Sequence, residues 1–191
     1  MLTHKEIFKL DINSWFDFEN IYDAAVNNFD NAIFIEIGSY QGASACYLAN
    51  KIKESGKNIK LFCIDTWNPK DSNERRLIPK DKLLKEIFIE NCNKLDLYIN
   101  TIDADSITAL NTFQDKSVDF IFIDGDHSYE QVYKDIIIGL KKIKVNGWLG
   151  GHDYPNYSVK KAVYDTIGNI NEIQSTRTDR YYSSWLYKKE H

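Results

Sequence analysis

Positive charge is in short supply along this chain. Its 24 lysines and arginines stand against 28 aspartates and glutamates over 191 residues, a formal net charge of -4. That balance builds no broad cationic field of the kind a phosphate backbone requires, so nucleic acid is not expected as a partner. Long apolar runs are absent too: none approaches the roughly 18 to 20 residues that span a bilayer, and no membrane partner is expected. The opening M-L-T-H-K-E-I-F-K-L-D scatters its charges and lacks the basic, then apolar, then small-residue order of an export signal. A soluble, cytoplasmic protein is the expectation. Cys46, Cys63 and Cys92 are an odd number without C-x-x-C spacing, and they read as reduced core residues. There is no G-x-G-x-x-G, no G-K-[ST], no internal repeat and no low-complexity tract, which weakens the pyrophosphate-binding readings.

What is present suits one core. With 43% hydrophobic residues, positions 1–191 read as a single domain, preceded by a helical extension over 1–30 and interrupted by a mobile polar loop at 67–80. Residues 32–37, A-I-F-I-E-I, form a short apolar run closed by Gly38, the pattern of a strand buried on both faces. Small and apolar residues then recur at helical spacing from Gly42 to about Ser55, where Gly56 stops them. The unit returns: a strand at 59–64, a helix near 81–93 and a third strand at 97–102. A fourth strand at 118–123 leads into a helix whose stripe is Tyr129, Val132, Tyr133, Ile136, Ile137, Leu140 and Ile143, with Ser128 and Gln131 as its expected capping box. Asn146-Gly147 turns the chain into a fifth strand, W-L-G-G. A helix after residue 157 precedes strands near 171–176 and 181–187, whose T-D-R separation suits a hairpin. The fold predicted is α/β, doubly wound and mostly parallel, with at least one antiparallel strand near the C-terminus.

In such a sheet, ligands bind beyond the carboxyl ends of the strands. Here those ends read E-I-G-S-Y-Q-G, D-T-W, D-A-D-S, D-G-D-H and G-H-D-Y. Acids at five successive strand ends are costly unless a cation, a metal or a hydroxyl-bearing ligand offsets them. Gly38 and Gly42 permit a close approach at the first turn, and Asp65 stands where a carboxylate can accept both hydroxyls of a ribose. Each also has a plainer reading, a strand-to-helix connection and a helix cap. His127 and His152, two of only four histidines, end neighbouring strands, and both titrate in the range suited to deprotonating a hydroxyl. Capping, or a bond to a loop carbonyl, is the bland alternative for the pair. Asp126 reads as structural. Lys70, Arg75, Arg76, Lys80 and Lys82 could receive an anionic acceptor but more simply make a solvated face. Trp67, Tyr154, Tyr157, Tyr181, Tyr182 and Trp185 could stack on an acceptor or merely pack.

These pieces, F-I-E-I-G-S-Y-Q-G-A-S, C-I-D-T-W, F-I-D-G-D-H-S-Y-E and N-G-W-L-G-G-H-D-Y, resemble the class I S-adenosylmethionine-dependent methyltransferases over residues 30 to 188. The small group that includes macrocin O-methyltransferase is most similar. The resemblance implies a Rossmann-like seven-stranded sheet with helices on both faces and an antiparallel final strand. It implies S-adenosylmethionine as cofactor, with Glu36, Gly38, Ser39, Gly42 and Ser44 at the methionine end, Asp65 and Thr66 at the ribose, Ala104, Asp105 and Ser106 flanking the adenine, and Asp124 bordering the cofactor. It also implies a divalent cation, Mg2+ or Mn2+, on Asp124, His152 and Asp153. Such a cation would chelate vicinal hydroxyls of a small acceptor, with Asp124, His127 and His152 as the catalytic set. The departure is His152, where many metal-dependent relatives carry a carboxylate; nitrogen shifts the expectation toward manganese, a softer ion, or none.

Three other functions fit parts of the pattern: a nicotinamide-dependent oxidoreductase, a non-catalytic adenosyl-ligand module, and a metal-dependent hydrolase on Asp124, Asp126, His127, His152 and Asp153. The apolar helix at 14–29 reads equally as a lid, as packing on the sheet, or as a homodimer contact.

Overall fold

In the computed structural model, residues 16–68, 78–175 and 183–190 are described. Seven strands form one sheet in the order β3-β2-β1-β4-β5-β7-β6. They are β1 (Asn31–Ile37), β2 (Asn58–Asp65), β3 (Asn100–Asp103), β4 (Val118–Ile123), β5 (Ile143–Gly151), β6 (Glu172–Gln174) and β7 (Ser183–Lys188). The first five run parallel; β7 pairs antiparallel with both β5 and β6. The helices are α1 (Glu19–Asn28), α2 (Ala43–Ser55), α3 (Leu84–Lys94), α4 (Ser106–Leu110), α5 (Tyr129–Lys142) and α6 (Tyr157–Thr166).

Alternation along the central strands divides the core into two layers. Phe34, Phe120 and Phe122 face a cluster built with α1, α2 and α3, whereas Ile35, Ile37, Ile121 and Ile123 face one built with α5 and α6. A near-continuous apolar strand therefore buries both faces, as its composition predicts. Cys46, Cys63 and Cys92 are free and buried. No helix among the described residues is long and apolar enough to cross a membrane.

Three local expectations need correction. The third strand begins at Asn100 rather than 97, because Leu97 folds back, donating its N–H to the Cys92 carbonyl and burying its side chain. Ser128 does precede α5, but its side chain makes no cap bond, and Gln131 instead donates to Ser106 and Asp135, so there is no capping box. The fifth strand starts at Ile143 and carries an irregularity against β4, with Asn146 at φ +65 inside it rather than in a preceding turn. The short helix α4 carries no apolar periodicity and was not expected. The T-D-R hairpin link and most of the polar loop, including Lys70, Arg75 and Arg76, lie outside the described residues, as do Tyr181 and Tyr182.

Candidate functional site

The carboxyl ends of three strands are tied together at one turn. Gly38 donates its N–H to Ile64 at 2.9 Å, and Asp124 donates its own to Ile37 at 2.8 Å, which straps the exit of β1 to β2 on one side and β4 on the other. Only glycine fits there: φ is +86, and a Cβ would lie 2.2 Å from the Asp124 carbonyl oxygen. Asp65 then braces the turn. Its Oδ2 accepts the N–H groups of Ser39 and Tyr40, both at 2.9 Å, and its Oδ1 accepts that of Trp67 at 2.7 Å. A carboxylate offers about four lone-pair sites, so these backbone donors leave it capacity for a further hydroxyl. Gly42 opens α2 at φ +91 with the Phe88 ring 2.9 Å from where a Cβ would sit.

Glu36 lies beneath this turn rather than on its open side. It is 1% exposed; Tyr22 of α1 donates to Oε1 at 2.7 Å and Ser39 donates to Oε2 at 2.6 Å. Burial raises its pKa, and the hydroxyls of Ser39, Tyr22 and Ser44 offset this in part. Ser39 and Ser44 are likewise buried around it, and Thr66 is exposed beyond β2. At the next strand end, Ala104 donates to the Asp65 carbonyl at 3.2 Å, bringing β3 to the same edge. Asp105 caps α4 through Thr108, and Ser106 donates to Asp135 of α5 at 2.6 Å, so both side chains have partners within the protein. Trp67 and Trp185 are core residues, Tyr154 is buried, and Tyr157 is exposed.

Beyond β4 and β5 stands a cluster of acids and imidazoles. His152, 4% exposed, has its Nδ1 at 3.2 Å from Asp153 Oδ2 and 3.5 Å from Asp124 Oδ1. Its Nε2 lies 2.9 Å from Oδ1 of Asp17, a fully buried acid just ahead of α1. His127, half-exposed, has Nε2 at 2.9 Å from Asp153 and 4.0 Å from Asp124. Burial opposes a charge on His152, but Asp124, Asp153 and Asp17 outweigh it and push the pKa up to about 12. Asp124 and Asp153 push His127 up to about 10. Burial alone would raise Asp153, yet the two imidazoles hold it far below the usual carboxylate range. Asp126 accepts the Ser128 N–H at 2.8 Å, just ahead of α5.

Asp17 and Tyr22 are the participants that the sequence reading missed. The available signal was a lone acid between aromatics in W-F-D-F: such an acid is buried and therefore needs a partner.

Asp124, His152 and Asp153 make a donor set that fits a cation. One ligand atom from each of Asp124, His152 and Asp153 can be chosen so that all lie within 4.8 Å of one another. The His152 ring nitrogen turned away from them is bonded to a carboxylate, the arrangement that orients a ligating histidine. A dication could also replace two imidazolium protons with no change in the net charge of the cluster. The residues fit, and their mixed oxygen and nitrogen donors suit Mn2+ better than Mg2+.

A family model described as a methyltransferase domain matches residues 35–154. The chain belongs to the methyltransferase-domain family. That span contains the Gly38 turn, Asp65, Asp124, His127, His152 and Asp153, and stops short of Asp17 and Tyr22. The family selects methyl transfer over the nicotinamide and hydrolase readings of the same residues. Uncharacterized protein R132 of Acanthamoeba polyphaga mimivirus is 25% identical over 166 residues, 85% of this chain and 71% of that one. Among solved structures, a SAM-dependent O-methyltransferase from Thermotoga maritima superposes at TM-score 0.65 with 13% identity, covering 97% of this chain and 70% of its own. The O-methyltransferase NovP does so at 0.64 with 18% identity, covering 91% and 79%. TrmN from Thermus thermophilus matches 89% of this chain at 0.61 and 14% identity, and this chain spans only 47% of TrmN. Likeness at these identities is a likeness of fold.

Proposed function

We propose that the methyltransferase domain uses S-adenosylmethionine to methylate a hydroxyl of a small metabolite such as a sugar, with a divalent cation held by Asp124, His152 and Asp153. The observation that carries this reading is the convergence of those donor atoms at the ends of β4 and β5, beside the glycine turn that Asp65 braces. Two solved neighbours titled O-methyltransferases, and the motif likeness to the macrocin O-methyltransferase group, support oxygen as the acceptor atom.

Asp65 holds a ribose hydroxyl through its remaining lone-pair site, and the Gly38 turn brings backbone close to the methionine portion of the donor. The acceptor lies against the acid and imidazole cluster. Its hydroxyl proton passes to an imidazole, its oxygen bonds to the methyl carbon, and the carbon–sulfur bond breaks with the electron pair remaining on sulfur as a thioether. His127 is the exposed member of the cluster and reaches an acceptor most directly. With Asp124 and Asp153 pushing its pKa up to about 10, it becomes a base only when those carboxylates are engaged elsewhere. Asp124, His152 and Asp153 would hold a dication, which would supply that engagement and lower the pKa of a hydroxyl bound to it.

Asp153→Ala tests the reading. Turnover on a hydroxylated acceptor should fall below about 1% of wild type, while S-adenosylhomocysteine still raises the melting temperature. Full activity of the variant in chelator would remove the cation from the account, and stabilisation by NAD in place of the adenosyl ligands would remove the methyl donor.

A further inference from the structure

We propose that Asp17 is a positioning residue for His152: it holds the imidazole with Nδ1 toward Asp124 and Asp153, so that the segment preceding α1 completes the cation-binding corner. The inference rests on the cation reading above and goes beyond it, because residues 35–154 that match the family do not include Asp17.

The geometry leaves this acid little freedom. Asp17 is 0% exposed, and its two carboxylate oxygens are divided between partners, Oδ1 facing His152 Nε2 at 2.9 Å and Oδ2 accepting the Ser175 hydroxyl at 2.7 Å. The same hydroxyl lies 3.3 Å from the Asp17 carbonyl oxygen. The neighbouring Phe18 seals the arrangement, its ring 4.9 Å from the His152 ring and stacked on Phe122 at 4.5 Å. A buried carboxylate beside one ring nitrogen makes that nitrogen the proton-bearing one, and the neutral ring then presents its lone pair from the other. For His152 that other atom is Nδ1, directed at the two acids whose oxygens share its corner. Without Asp17 the ring could carry its proton on Nδ1, where it would point at the cation.

The experiment is a titration of the full chain with Mn2+, followed by electron paramagnetic resonance and read in two ways: the affinity, and the nitrogen coupling that an imidazole ligand gives to bound Mn2+. Wild type should take up Mn2+ with one such coupling. Asp17→Asn and Asp17→Ala should weaken uptake about 10 to 100-fold and diminish the coupling, while their affinity for S-adenosylhomocysteine is unchanged. Variants that match wild type in both readouts would overturn the role of Asp17 and leave the cation reading standing. Wild type that binds Mn2+ without nitrogen coupling would overturn the role of Asp17 and remove His152 from the ligands, leaving only the carboxylates to hold the cation. Wild type that binds no Mn2+ would overturn both. If the Asp17 variants do not fold, Ser175→Ala keeps the acid and removes the hydroxyl that donates to its Oδ2: a weaker Mn2+ affinity supports the proposal, and an unchanged one overturns it.

Discussion

Among single side chains, His152 and His127 carry the clearest consequence. Their pKa values are pushed up to about 12 and about 10, whereas an unfolded chain releases those protons near pH 6.5. Between about pH 6.5 and pH 10 the folded, cation-free protein thus holds protons that the unfolded chain has lost, and its stability falls as pH rises through that window. Buried Glu36 and Asp135, both raised, contribute with the same sign at lower pH. Melting temperatures in chelator should decline steadily from pH 6 to pH 9, and His127→Gln should remove part of the slope; a flat or rising profile would contradict the cluster as described. Because a cation competes with these protons, Mn2+ should bind more tightly as pH rises across the same interval. Both histidines, Asp124 and Asp153 were legible from their positions at strand ends. Asp17 was not, since its bond to His152 joins residues 135 apart and no local spacing encodes it.

Among the elements, α1 matters most for the site. Its position over the β1–β4 face comes from Tyr22, 0% exposed, whose hydroxyl donates to Glu36 and whose ring packs edge-on to Phe122 at 5.2 Å. The apolar stripe of this helix was readable, but whether it was a lid, a dimer contact or a layer of the core was not. The hydrogen bond from Tyr22 and the burial of Phe18 against Phe122 assign it to the core, with its leading edge at His152. Tyr22→Phe leaves a buried carboxyl short of one donor, which costs about 1 to 3 kcal/mol. Urea denaturation should register that loss as a lower midpoint, and an unchanged midpoint would mean that Glu36 does not depend on α1. The elements that misled the sequence reading did so for two reasons. Gln131 and Asn146 bond to partners distant in sequence, the Ser106 hydroxyl and the Lys189 carbonyl, whereas Leu97 turns back to the Cys92 carbonyl in a local bond at the end of α3 that delays the strand.

For the whole molecule, short apolar runs alternating with segments of helical spacing made a doubly wound sheet readable, but strand order was not contained in them. Seven strands with the last one reversed were an implication of the motif likeness that the fold bears out, and the structure adds the order β3-β2-β1-β4-β5-β7-β6. Its effect is to put β1 and β4 side by side at the point where the chain reverses direction across the sheet, and there the Gly38 turn, Asp65 and Asp124 meet. Methyl donation depends on that meeting point taking an adenosyl ligand. Calorimetric titration of the full chain with S-adenosylhomocysteine tests it most directly. The account predicts one site per chain, lost in Asp65→Ala and retained in Asp153→Ala; an absence of binding in the wild type, or binding that survives unchanged in Asp65→Ala, would contradict it.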